Sequence, residues 1–355
     1  MRKMRVVVAM SGGVDSSVAA ALLKEQGYEV IGVTMCFNLA DSYRTKPACC
    51  GIQGIEDAGR VAHKLGIKHY VLNMQKVLKE RVIKDFYGEY MKGRTPNPCV
   101  RCNQFIKFDC LLKKALALDA VYLATGHYAR KAGVRCYVLK KAKDKEKDQS
   151  YFLYRLNQEQ LKHILFPLGN YTKPEVRKLA YEFSLPVADK SASQEICFLP
   201  GADYRGFLRE QIKQDIKPGE VVDKQGNILG RHKGIAFYTI GKREGLGIAK
   251  GYPLYITRID AKTKRITVGT RKDALGSEFL VKEPHFILKP LKKKVVLRVK
   301  IRYNHKEAKA EVTPFKNKIK VKFIKPQFAI TPGQSAVLYN KDTVIGGGII
   351  DSVLN

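Results

Sequence analysis

The sequence predicts an α/β protein whose first domain is a parallel sheet with helices on both faces, followed by two small β-rich domains, the last a β-barrel. Three observations carry this. In the first 140 residues, apolar runs of strand length alternate with segments of helical periodicity, the pattern of a parallel sheet. A pair of glycines joins the first strand to the first helix. Beyond about Gly201 the pattern changes to short alternating strands separated by Gly-rich turns.

Taken in order, Arg5–Met10 is a valine run with the look of a buried parallel strand, and Ser16–Gln26 is helical up to Gly27. Glu29–Met35 is strand-like, Ile55–Leu65 helical and His69–Leu72 a short strand. A long helix follows over Gln75 to Met91, then a Pro-punctuated loop, a helix across Phe105–Leu118 and a strand at Val121–Ala124. Lys140–Asp148 reads as an exposed, mobile loop. Farther on, Ile235–Ile240, Leu254–Ile259, Arg265–Val268, Val295–Tyr303 and Lys318–Phe323 read as strands. This divides the chain into a catalytic domain over 1–200, a small central β-rich domain over 201–278 and a basic C-terminal barrel over 279–355, the second boundary falling near 275–285.

Charge points to a polyanion. The 355 residues hold 65 Lys plus Arg against 33 Asp plus Glu, a net +32. Between Lys289 and Phe328 stand fourteen basic residues and two acids, Glu307 and Glu311. Such an excess favours nucleic acid through counterion release. No run reaches the roughly 20 apolar residues of a membrane span, and Met1 to Met10 lacks the pattern of a signal peptide. Both point to a cytoplasmic protein with no membrane partner. In that compartment the eight cysteines fit catalytic, metal-binding or buried roles better than a disulfide framework.

The first strand runs into Ser11-Gly12-Gly13-Val14-Asp15-Ser16-Ser17. Glycines let a backbone approach phosphate, serines add donors, and the open N–H groups at a helix start favour an anion. No Gly-Lys-Ser/Thr follows, so this is not a Walker A loop. Adjacent glycines also exclude the dinucleotide fingerprint. Gly32–Met35 and Thr125-Gly126-His127-Tyr128 end two other strands on the same sheet edge, where nucleotides bind. His127 reads equally as a structural histidine. Two thiol-bearing motifs stand apart: Pro96-Asn97-Pro98-Cys99-Val100-Arg101-Cys102-Asn103, whose prolines predict a stiff loop, and Glu195-Ile196-Cys197-Phe198. Cys36, Cys49, Cys50, Cys110 and Cys136 read as structural.

The SGGVDSS loop resembles that of the PP-loop ATP pyrophosphatases, which have the HUP-type nucleotide fold. With it occur, in order, PNPxxxCN, KDQSYFLY (Lys147–Tyr154), EICF, YTIG (Tyr238–Gly241) and IRY. Together these look like the tRNA-specific 2-thiouridylase family, over essentially the full chain. The resemblance implies an enzyme, a tRNA-uridine 2-sulfurtransferase, that adenylates the C2 oxygen of the wobble uridine with ATP and Mg²⁺ and transfers sulfur from a cysteine persulfide or cluster-bound sulfide. It implies nucleotide contacts at Ala9, Met10, Ser11, Gly12, Gly13, Val14, Asp15, Ser16, Ser17, Met35 and Gly126, with Asp15 on Mg²⁺. Cys197 would carry persulfide supplied by a cysteine desulfurase relay, and Cys102 would be the nucleophile that leaves a Cys102–Cys197 disulfide or releases sulfide. Asn97, Pro98, Cys99, Lys147, Asp148, Gln149, Arg302 and Tyr303 would contact tRNA. Two departures stand out. The family commonly has Asp where this chain has Cys99, so Cys99, Cys102 and Cys197 could also ligate an iron–sulfur cluster or zinc. YTIG is followed here by Lys242-Arg243-Glu244 rather than Gln-Arg-Lys. Another PP-loop synthetase, a non-catalytic RNA-binding protein and a thioredoxin-like redox protein are the competing classes. The paired thiols, the intact loop and the placing of Cys99–Cys102 after a helix argue against them.

Overall fold

The computed structural model describes residues 3–37, 52–191, 196–199, 204–211, 216–248 and 250–354. The chain forms two compact units, and each gathers separate stretches of sequence.

The first unit comprises Met1–Val82, Cys99–Asp203 and Asp342–Val344. Its centre is a five-stranded sheet with spatial order β3-β2-β1-β4-β7, made of β1 (Arg5–Ala9), β2 (Glu29–Cys36), β3 (Lys68–Asn73), β4 (Tyr122–Thr125) and β7 (Ile164–Leu165). All pairings are parallel. Val6, Val7 and Val8 are each 0% exposed, because the central strand is covered on both faces and an unbroken apolar run is what such a strand needs. Against it pack α1 (Val14–Glu25) and α2 (Ile52–Leu65). Small side chains at Ala19, Ala20 and Ala21 let α1 sit close on the sheet within a core that includes Val61, Leu168 and Val176. The helix Lys173–Glu182 (α8) starts at a capping box of Thr172 and Glu175 with proline in its first turn. A hairpin of β5 (Ala129–Ala132) and β6 (Val138–Lys141) completes the unit. Leu139 and Lys140 pair with Val344 and Thr343.

Several expectations change. The helix at 75–91 is continuous in path but holds a π-helical segment, Lys79–Ile83, between Gln75–Leu78 and Lys84–Met91. The next helix starts at Pro98, seven residues before Phe105. It runs Pro98–Cys102, then π-helical Asn103–Leu111, then Leu112–Leu116. Cys99 and Cys102 are therefore helical, not in a loop, since Pro98 at a first helical position starts the helix. A CxxC that opens a helix is a trait of the redox reading, but here the preceding element is a helix, not a strand. Lys140–Asp148 is not a mobile loop. Asp148 is buried and accepts from the backbone N–H of Ala142 (3.0 Å) and the hydroxyl of Ser150 (2.8 Å), while Asp144 accepts from the N–H groups of Glu146, Lys147 and Lys173. Cys136 lies exposed in the turn between β5 and β6, not in an apolar run. Cys49 and Cys50 lie outside the described residues.

The second unit comprises Ile83–Pro98, Tyr204–Lys341 and Ile345–Asn355. A four-stranded sheet has the order β10-β11-β8-β9, from Gly219–Val222 (β8), Ile228–His232 (β9), Tyr255–Asp260 (β10) and Arg265–Gly269 (β11). The expected strand over 235–240 is instead a 3₁₀ turn, Ile235–Phe237, entered through Gly234. Six further strands close a barrel. They are Leu275–Phe286 (β12), Val295–Lys300 (β13), Ala308–Phe315 (β14), Lys318–Phe328 (β15), Ser335–Asn340 (β16) and Thr343–Val353 (β17). Long β12 pairs with β15 on one side and β17 on the other, which closes the ring. Phe279, Val281, Val299, Val312 and Val321 fill its interior. The strand expected to reach Tyr303 ends at Lys300.

The placing of 83–98 in this unit was not evident from the sequence. Arg94 explains part of it. Its guanidinium donates to Glu89 (2.7 Å) and to the carbonyls of Asp351 (3.0 Å) and Ile350 (2.9 Å). Burial by itself raises the Glu89 pKa, but Arg94, with Lys282 and Lys92 adding, brings the carboxyl below its ordinary range. We expect Arg94→Ala, which leaves that half-buried carboxylate uncompensated, to cost about 3 kcal/mol. Lys92→Ala, which removes a 68%-exposed partner of the same carboxylate, should cost under about 1 kcal/mol. Urea unfolding of the two variants checks the difference.

Candidate active site

At the carboxyl ends of β1, β2 and β4 lies a cavity of about 200 Å³, where parallel α/β sheets bind ligands. Ala9, Met10, Ser11, Asp15, Ser16, Met35 and Gly126 of the expected nucleotide set line it. Thr34, Thr125, His127, Gln149 and Lys107 also line it. Gly12, Gly13, Val14 and Ser17 shape the loop without facing the cavity.

The loop is built from its own backbone. Met10 leaves β1 but its N–H still bonds the Val33 carbonyl (2.8 Å), and its carbonyl accepts from Thr34 Oγ1 (2.9 Å). Both Ser16 Oγ (3.1 Å) and Ser17 Oγ (2.9 Å) donate to the Gly13 carbonyl, which draws the chain into α1. No side chain caps that helix start, so its N–H groups are available to an anion. Gly12 has φ +72, and a Cβ there would lie 2.3 Å from the Gly54 carbonyl. A Cβ at Gly126 would come within 2.8 Å of Asp15 and Ser16 backbone atoms. Strand end and loop therefore touch main chain to main chain.

Four charged residues that the motifs did not single out, Lys190, Asp57, Arg60 and Lys173, hold this arrangement. Lys190 donates to the Gly12 carbonyl (3.0 Å) and pairs with buried Asp57, which Arg60 and Gln53 also engage. Burial alone would raise the Asp57 pKa, yet the bonds from Lys190, Arg60 and Gln53 together hold it below its ordinary value. Lys173, at the start of α8, donates to Asp15 Oδ1 (2.5 Å), and Tyr128 donates to the same oxygen (2.8 Å). Burial first, then Asp15, pushes the Tyr128 phenol far up, so it remains a donor. His127 is buried, bonded to Thr125 Oγ1 (2.7 Å), and its pKa falls well below the ordinary value through burial and the nearby Lys107 charge. It is neutral, which fits a structural role. Neither lysine lies in a short motif: Lys173 opens its helix and Lys190 lies outside any helix, so no local signal marks them.

The three thiols lie in this same unit. Cys102 is 6% exposed; Cys99 and Cys197 are half-buried. Burial pushes Cys99 up to about 11, with the Cys197 charge adding and Lys107 opposing. Burial pushes Cys102 up to about 12, with Lys107 opposing and both other sulfurs adding. Cys197 thus acts on both members of the CxxC. Among the described residues no three Cys, His, Asp or Glu side chains are grouped to hold a metal ion. The thiols do not form a ready ligand set for a cluster or for zinc.

The expected RNA contacts fare unequally. Asp148 is buried and accepts from Ala142 and Ser150. Gln149 accepts from the Tyr128 N–H (3.0 Å) and lines the nucleotide cavity. Lys147 is half-buried, its N–H on Asp144. Asn97 is half-buried and Pro98 buried. In the barrel, Arg302 donates to the Phe328 (3.0 Å) and Ala329 (3.2 Å) carbonyls, and Lys300 lies over the Tyr303 ring.

Known proteins match this chain throughout. Residues 4–201 match the tRNA methyl transferase HUP domain, 205–270 the tRNA methyl transferase PRC-barrel domain and 276–350 the aminomethyltransferase beta-barrel domain. A protein of Caldanaerobacter subterraneus named tRNA-specific 2-thiouridylase MnmA 1 is 54% identical, covering 98% of each chain. The chain belongs to the tRNA-specific 2-thiouridylase family. A second member, from Thermoanaerobacter sp., is 51% identical over 99% of this chain and 98% of its own. A third, from Clostridium acetobutylicum, is 49% identical over 98% and 99%. Methyl transferase in the domain names is thus a label shared with 2-thiouridylases. No described helix is long and apolar enough to cross a membrane.

Gly12→Ala should abolish ATP binding measurable by calorimetry, since the left-handed backbone alone costs about 1–2 kcal/mol and the Cβ meets main chain. Gly13→Ala, with φ −100 and its nearest neighbour at 3.5 Å, should bind within about threefold of the parent.

Proposed function

We propose that this chain 2-thiolates the wobble uridine of tRNA by adenylation followed by transfer of sulfur from a cysteine persulfide. Family membership makes it a tRNA sulfurtransferase that uses ATP. The observation that carries the finer reading is that the phosphate loop and the thiols of Cys99, Cys102 and Cys197 belong to one compact unit, with Lys107 lining the nucleotide cavity and its charge favouring thiolate at Cys99 and Cys102.

ATP enters with its phosphates toward the uncapped start of α1. Asp15, 34% exposed at the cavity, offers the hard oxygen that Mg²⁺ prefers; the metal would neutralise the departing pyrophosphate, and Lys173 and Tyr128 hold the carboxylate in place for it. The uridine C2 oxygen attacks the α-phosphorus, pyrophosphate leaves and the N3 proton passes to water. The terminal sulfur of a Cys197 persulfide, loaded by a cysteine desulfurase relay, then attacks C2 and expels AMP. Cys102 thiolate attacks Cys197 Sγ, forming the Cys102–Cys197 disulfide and releasing the nucleoside sulfur, which is reprotonated at N3. A dithiol reductant restores both thiols. Asn97, Pro98 and Cys99 would face the target base, and Lys147, Arg302 and Tyr303 the tRNA backbone, with 279–355 as the basic barrel. The setting is the cytoplasm, where thiols stay reduced.

Protein purified without oxygen, given ATP, unmodified tRNA and a persulfide donor, tests this. Cys102→Ser and Cys197→Ser should lose thiolation by at least about 10³-fold while both still release pyrophosphate in the presence of tRNA, with persulfide-driven AMP release kept in Cys102→Ser and lost in Cys197→Ser; Cys99→Ser should retain thiolation. Bound iron whose chelation stops the reaction would overturn the two-thiol route, and no transfer to tRNA with a proven donor would overturn the function.

A further inference from the structure

Lys107 has a position that neither the phosphate loop nor the cysteine motif explains. It is half-buried and lines the nucleotide cavity beside Ser11, Asp15 and His127. Among the described residues that line this cavity it is the one cation: Asp15 is an anion and His127 is neutral. Of the two other nearby lysines, Lys173 is engaged by Asp15 and Lys190 by Asp57. A triphosphate entering here has a single side-chain cation to meet within the cavity wall.

The charge of the same ammonium is felt by two of the thiols, Cys99 and Cys102. It sits five residues beyond Cys102, within the π-helical segment Asn103–Leu111. Hydrogen bonding from i to i+5 widens the turn and carries residue 107 back toward the face that holds Cys102. Lys107 is the favourable charge acting on both Cys99 and Cys102, against burial and against Cys197. With no such charge, a buried thiol is a poor source of thiolate.

We propose that Lys107 is a catalytic residue shared by both chemical steps, balancing charge on the α-phosphoryl group during adenylation and then on the sulfur of Cys102 during sulfur release. While triphosphate is bound, the phosphates share the ammonium. Departure of pyrophosphate and then AMP removes that competing anion and leaves the field of Lys107 on Cys102. The attacking thiolate is thereby favoured only after the uridine has been activated. The argument rests on the adenylation and persulfide reading, but its test needs neither tRNA nor a sulfur donor.

Two variants, Lys107→Met and Lys107→Arg, are compared for ATP binding by calorimetry and for iodoacetamide alkylation of Cys102 at pH 8.5, followed by peptide mass spectrometry. Exposed Cys136 serves as internal reference. Lys107→Met should slow Cys102 alkylation about tenfold, the equivalent of one pKa unit, and weaken ATP binding by about tenfold. Cys136 should react at the parental rate, and Lys107→Arg should restore both properties to within about threefold. An unchanged Cys102 rate or an unchanged ATP affinity in Lys107→Met overturns the proposal. So does a folded Lys107→Arg that has lost both, which is also the deciding result if Lys107→Met melts early. Failure of tRNA thiolation with these readouts intact would instead remove the function reading and leave the shared cation standing.

Discussion

The contact on which the nucleotide site depends is the ammonium of Lys190 held between the buried Asp57 carboxylate and the carbonyl of Gly12. A charge at 5% exposure is costly unless compensated, and Asp57 is compensated by Lys190, Arg60 and Gln53 together. The bond onward to Gly12 makes the arrangement of the phosphate loop part of that compensation. Asp15 repeats the scheme on the other side, with Lys173 and Tyr128 meeting at one oxygen. Loop, sheet edge and later helices are thus joined by charge-assisted bonds, not by apolar packing alone.

This explains why a loop of small residues can be rigid. The N–H groups that would receive phosphate are left open, while the carbonyls and hydroxyls around them are already committed. Preorganised donors of this kind do not have to reorient when charge develops, which is the most effective electrostatic contribution an active site makes. The buried thiols pose the opposite problem. Their surroundings disfavour the reactive anion, so reactivity depends on a charge supplied locally and at the right stage.

Much of this was legible in the sequence. The valine run of β1 and the Gly12-Gly13 pair follow from local rules of backbone and burial, whereas the nucleotide set, seven of whose residues line the cavity, came with the family resemblance. The helix that carries Cys99 and Cys102 did not, because two prolines suggested a stiff loop, whereas Pro98 occupies the one helical position where proline is favoured. The string Lys140–Asp148 was misread for a related reason: so many lysines read as a solvated loop, but its acids, Asp144 and Asp148, are the acceptors that fold it. The roles of Lys173, Lys190 and Lys107 were invisible because each acts on a residue distant in sequence or on a cavity, and lysines in so basic a chain carry no local signal. The strands of the barrel were read as a class, but their closure through β12 and β17 is a property of registry that no single segment encodes.

The pairing of Thr343 and Val344 with Lys140 and Leu139 has a bearing on how the polypeptide is made. About two hundred residues separate the two sides of that ladder, so a ribosome must synthesise nearly the whole barrel before the edge of β6 that faces away from β5 acquires its partner. Until then the strand presents open main-chain donors and acceptors that another nascent chain could satisfy. A product cut short before Asp342 would keep its phosphate loop and its thiols and yet carry a strand edge prone to association.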